Sequence, residues 1–195
     1  MKLIAYLSSF AFALIFSPLC HAQSFNMSVE QFQKAYDIQV KKEAMDQALA
    51  PTIKSVVKMN QNAFRVTLND GSFQKMVKHW KELNLANGKF TLKDHMILTT
   101  DASGKLTRVG LFSVREDMNI FHFIGTVASV VKVFNPNLKN DELTELISET
   151  RLMSGDSDPE IGQVHNNFTK GAAVSCLQQH SSVSPKVMCL LTPRF

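Results

Sequence analysis

The chain has 195 residues, of which 45% are hydrophobic, 19% charged and 9% aromatic, with a formal net charge of +4. That balance excludes a disordered polymer, a collagen-like repeat and a small scaffold packed by many disulfides. The charge excess is too small for a nucleic-acid partner, since such proteins gather far more Lys and Arg on one face.

Residues 1–22, MKLIAYLSSFAFALIFSPLCHA, have the three-part pattern of a cleaved secretory signal peptide. Lys2 supplies the positive start, Leu3 to Phe16 form an apolar run too short to span a bilayer comfortably, and Cys20-His21-Ala22 offers a small-residue cleavage site. Cys20 invites comparison with lipoproteins, whose lipidated Cys follows a pair of small residues. Pro18 and Leu19 do not supply that pair. The expected product is therefore an exported, periplasmic chain starting at Gln23, with residues 23–195 as one domain. No later run is long and apolar enough to be read as a transmembrane segment.

Once Cys20 is lost, Cys176 and Cys189 are the two remaining thiols, in a compartment where disulfides persist. AAVSCL and VMCLL flank a polar break containing Pro185, and both read as strands. Opposed strands would close the hairpin with a Cys176–Cys189 bridge. Redox chemistry would instead call for CxxC-type spacing.

Helices and strands follow in chain order. Ser28-Val29-Glu30-Gln31 has capping-box form, and Phe32, Tyr36 and Val40 recur at helical spacing, which predicts a helix over 29–48. NAFRVTLN, residues 62–69, alternates as a strand and runs into the turn residues Asn69-Asp70-Gly71. Phe73, Met76, Val77, Trp80 and Leu83 fit a helix face better than alternation. FTLKDHMILTT and KLTRVGLFSV, joined by Asp101-Ala102-Ser103-Gly104, read as a long hairpin. Met118 to Phe134 is apolar almost all round, with a thin side at Gly125, Ala128 and Ser129, and so predicts a helix buried on every face. A polar helix over 140–150, N-capped by Asn140 or Asp141, precedes a loop over 154–163 and the cysteine hairpin. The fold class expected is α+β: one domain, an antiparallel sheet of about five strands, an N-terminal helix and a buried central helix.

Charge is uneven. Residues 34–93 hold eleven Lys or Arg against five acids, and 141–160 hold seven acids against Arg151 alone. Such runs are ordinarily solvated faces, but a bipolar surface can also steer a charged partner. Lys75, Lys78, His79 and Lys81 around Trp80 form the candidate binding surface, a basic cluster beside an aromatic anchor. If that segment is a helix, Trp80 shares the face of Phe73 and Val77 and turns inward.

No GxSxG, SxxK, HExxH, P-loop or dinucleotide fingerprint occurs. Ser157 lies in a polar loop with no preceding strand and no evident base. Asp156, Asp158 and Glu160 alternate like a calcium loop, but Ile161 stands where the sharp turn needs Gly. The histidines His79, His95, His122, His165 and His180 show no zinc spacing among themselves. His122, between Phe121 and Phe123, reads as a core imidazole that would need an oriented partner to do chemistry. Asp94 and His95 point to opposite faces of a strand and cannot cooperate. No cofactor, metal or catalytic residue is therefore assigned.

Two function classes remain. The first is a non-enzymatic periplasmic protein that docks another envelope or secreted protein, of inhibitor, immunity or accessory type. It calls for an exposed cluster of aromatic and Arg anchors. The second is a small carrier of an apolar ligand or lipid, with the 118–134 helix lining a pocket of several hundred Å³. An enzyme with dispersed, motif-free catalytic residues also stays open.

Overall fold

The computed structural model describes residues 24–42, 52–83, 90–92, 94–114, 117–154, 162–179 and 186–194. The predicted signal peptide lies outside the described residues, as do the Asp156–Glu160 loop, His180 and Pro185.

Chain order is α1 (Val29–Lys42), β1 (Ile53–Lys58), β2 (Ala63–Leu68), α2 (Gly71–Glu82), β3 (His95–Thr100), β4 (Leu106–Val114), α3 (Asp117–Phe134), α4 (Asn140–Glu149), β5 (Val164–Thr169), β6 (Gly171–Gln179) and β7 (Lys186–Arg194). The strands form one antiparallel sheet in the order β1-β2-β3-β4-β7-β6-β5. The α+β class stands, and the sheet has seven strands where about five were expected. The two extra strands, β1 and β5, are its edges. IKSVVK is exposed at most positions, and VHNNFT is polar at four of its six positions, so neither carries the apolar alternation of an inner strand.

Local chemistry fixes the element ends. At α1, the Ser28 amide donates to Gln31 Oε1 at 2.8 Å and the Gln31 amide donates to Ser28 Oγ at 3.2 Å, the reciprocal capping box. Asp101 Oδ1 accepts from the amides of Ser103 and Lys105, each at 2.9 Å, and Gly104 takes φ +80°, which closes the β3–β4 hairpin. The cap of α4 falls one residue earlier than expected. The Lys139 amide donates to Glu142 Oε2 at 2.9 Å, while Asn140 is already helical and accepts a 2.6 Å hydrogen bond from Lys132 Nζ. At the β5–β6 turn Gly171 has φ +88°, and a Cβ there would stand 2.9 Å from the Phe134 carbonyl oxygen.

One face of the sheet builds the core. Val66, Met96, Leu98, Val109, Leu111, Val174, Val187 and Leu191 point inward against Phe32 and Tyr36 of α1 and Phe123, Val127, Val130 and Val131 of α3. Cys176 and Cys189 are paired residues of β6 and β7 on this face, joined by a disulfide with their Cα atoms 4.1 Å apart. No helix among the described residues is long and apolar enough to cross a membrane.

Candidate functional site

Three features of this framework could carry function, and each is built by strand register or helix spacing.

The first is a buried polar set under α3. Asp94 directly precedes β3 on the core side, and Ser113 lies on the same side of β4. His122 Nδ1 donates to Asp94 Oδ2 at 2.6 Å, and the Ser113 hydroxyl donates to Asp94 Oδ1. Thr126 Oγ1 donates to the His122 carbonyl at 3.0 Å, and the edge of Phe73 from α2 meets the imidazole at 5.3 Å between ring centres. The carboxylate is thus central, with the serine on the acid rather than on the imidazole. A nucleophilic triad needs the opposite order, serine to histidine to acid. His122 Nε2 has no hydrogen-bond partner and the side chain is fully buried, so no solvent-borne group reaches it in this state. The Tyr36 hydroxyl is buried nearby, beside the Thr126 side chain. Burial raises its pKa well above the ordinary phenol value, and the negative charges of Asp94 and Asp37 add to that rise.

Sequence reasoning singled out His122 but not the residue that orients it. Asp94 and His95 do face opposite sides: Asp94 is buried, whereas His95 is exposed and stacks on Phe112 at 5.1 Å. The available signal was parity, because an acid in phase with the inward residues Met96 and Leu98 has to find a buried partner.

The second feature is the outward face of the sheet. Register aligns Val164, Leu177, Met188, Phe112 and His95 in one row across five strands. A second row runs Asn166, Ser175, Leu190, Gly110, Ile97, Arg65 and Val57. Apart from Gly110, every residue in these rows is exposed or half-buried. Gly110 lies beneath the Phe112 ring, 3.0 Å from where its Cβ would be, and so lets that ring lie along the sheet. None of the seven strands contains Asp or Glu, whereas Arg65, Arg108, Lys186 and Arg194 alternate outward. The Arg194 guanidinium lies 4.1 Å from the centre of the Phe168 ring, and Phe168 itself is 59% exposed. Apolar, aromatic and cationic groups thus share the outward surface of the sheet.

The third feature is a groove of about 580 Å³ beside α3 and α4, with Val40 of α1 at its side. Phe121, Ile124, Gly125 and Ala128 of α3 line it opposite Leu143 and Ile147 of α4. This corrects the expectation that α3 is buried on every face. Its thin side, where Gly125 and Ala128 carry little bulk, leaves this trough open beside α4.

The basic cluster predicted on sequence lies on α2. Lys75, Lys78, His79 and Lys81 are exposed there, Lys78 faces Glu82 at 3.9 Å, and the Lys81 ammonium lies 6.0 Å from the Phe90 ring centre. Trp80 is half-buried and packs against Phe121 with ring centres 5.6 Å apart. The helix therefore keeps its cations outward and engages its aromatic ring with α3. Among the described residues no group of three or more His, Cys, Asp or Glu is placed to hold a metal.

No family model matches the chain, and no curated protein or solved structure shows significant similarity to it.

Proposed function

We propose that this chain is an exported, periplasmic binding protein that docks another envelope or secreted protein through the outward face of its sheet. The observation that carries this reading is the outward row Val164, Leu177, Met188 and Phe112, on a sheet face that also carries Arg108 and Arg194 further along strands that contain no carboxylate. Contiguous exposed apolar surface on a folded domain marks an interaction site, and aromatic and Arg side chains are the commonest energetic anchors. The partner implied is an acidic protein surface with an apolar centre. Complementary charge would speed its arrival, and burial of the row would hold it.

The edges of the sheet support a use for this face. β1 is blunted by a bulge between Ile53 and Ser55 and by Lys54 and Lys58, two devices that discourage strand addition. β5 carries neither a Lys nor a Pro and presents Val164 and Phe168 beside the outward row. Location outside the cytosol is favoured by the Cys176–Cys189 bridge, because such bonds persist in oxidising compartments.

A double variant tests the reading. Val164→Asp with Arg194→Glu should abolish complex formation with an acidic partner while leaving the melting temperature nearly unchanged, since both residues are exposed and exposed substitutions are usually worth within about 0.5 kcal/mol. Retained binding by this variant would refute the assignment.

A further inference from the structure

We propose that the groove beside α3 and α4 binds a single-chain anionic amphiphile, an alkyl carboxylate of the fatty-acid type. The proposal does not rest on protein docking, because this groove lies on the helical side of the sheet and the docking face on the other. Two properties of the lining carry it: shape and charge.

Shape comes from the spacing of α3. Phe121, Ile124, Gly125, Ala128 and Lys132 recur at helical intervals, so they form one strip along the helix, while Phe123, Val127, Val130 and Val131 face the core. Within that strip the two smallest residues stand centrally, opposite Leu143 and Ile147 of α4. The result is an elongated apolar trough of about 580 Å³, within the range of roughly 300–1,000 Å³ typical of small-molecule sites. A flexible alkyl chain suits such a trough, because the lining is mostly apolar and runs along one strip of α3 facing Leu143 and Ile147.

Charge sets the headgroup. Among the described residues the groove lining contains Lys132 and Arg151, the hydroxyls of Ser129, Thr144, Ser148 and Ser154, and no Asp or Glu. Lys132 is held by the Asn140 side-chain oxygen at 2.6 Å, which fixes its ammonium at the α3–α4 junction rather than letting it swing into solvent. An apolar channel with positive charge and hydroxyl donors in its wall complements an alkyl chain ending in a carboxylate. A cationic amphiphile would meet like charge there.

Isothermal titration of the native, disulfide-bonded protein tests this with dodecanoate, dodecanol and dodecyltrimethylammonium, each below its micellar concentration. Dodecanoate should bind saturably with one molecule per protein, more tightly than dodecanol, with dodecyltrimethylammonium weakest. Arg151→Gln should weaken dodecanoate by about two- to fivefold, the range of a solvent-exposed ion pair, and leave dodecanol unchanged. Ala128→Leu should fill the floor and abolish binding of both. Met153→Asp places a negative charge on an exposed lip residue, outside the packed core, and should weaken dodecanoate even if Ala128→Leu fails to fold. The proposal is overturned by absence of saturable dodecanoate binding, by equal or tighter binding of the ammonium amphiphile, or by binding that neither Met153→Asp nor Arg151→Gln changes.

Discussion

Opening the Cys176–Cys189 bridge should lower stability by an amount that can be worked from its place in the sheet. The two residues face each other in the β6–β7 register and are 13 positions apart. On the chain-entropy account, freeing a loop of that length in the unfolded state costs the native protein about 3 kcal/mol. For a domain of this size each kcal/mol moves the melting temperature by about 2–4 °C, so reduction should lower it by about 6–12 °C. Cys176→Ala with Cys189→Ala should lose more than reduction does. Both sulfurs sit in the core beside Val174, Val187 and Leu191, and truncation also removes buried volume. The assay is calorimetric melting of oxidised, reduced and doubly substituted protein, with thiol titration of the native material. Both sulfurs are buried, so reduction must be carried through partial unfolding before the scan. Coincident melting curves for oxidised and reduced protein would refute the reasoning, as would two titratable thiols in material purified without reductant.

Other consequences are local. Asp94→Asn removes the charge that accepts from both His122 and Ser113, and should destabilise by about 1.5–3 kcal/mol in urea titration. Gly171→Ala must hold φ near +88° against the Phe134 carbonyl, and should cost about 1–3 kcal/mol by the same measurement. Tyr36 links stability to alkaline pH. Its folded-state pKa is raised, so the stabilisation is fully present below the unfolded phenol value of about 10 and is lost as pH rises beyond it. The wild type should lose about 1.4 kcal/mol per pH unit above that point through this one group. Tyr36→Phe should remove that part of the slope, which paired denaturant titrations above and below pH 10 will read.

Much of the fold was legible from residue patterns. The Ser28–Gln31 cap, the inward run Phe32, Tyr36 and Val40, the Asp101–Gly104 turn and the cysteine hairpin are each set by chemistry within a few residues, and all four are present. The edge strands were not, because a strand exposed on most of its length loses the alternation that reveals inner ones. Asp94 as the partner of His122 was hidden for a different reason: 28 positions separate them, and only the packing of α3 across β3 and β4 brings them together. The outward face escaped notice because its row is composed of single residues from five strands. Leu177, Met188 and Phe112 look like ordinary strand residues until register sets them side by side on the face opposite the core.

The central claim is that the outward face of the sheet is the docking surface. Site-specific photo-crosslinking in the cell envelope tests it most directly, with the reactive side chain placed in turn at Leu190, at Arg108 and at Lys75 on the basic face of α2. A single adduct of defined mass from positions 190 and 108, and none from 75, is the predicted pattern. Adducts confined to position 75, or none from the sheet positions, would contradict it.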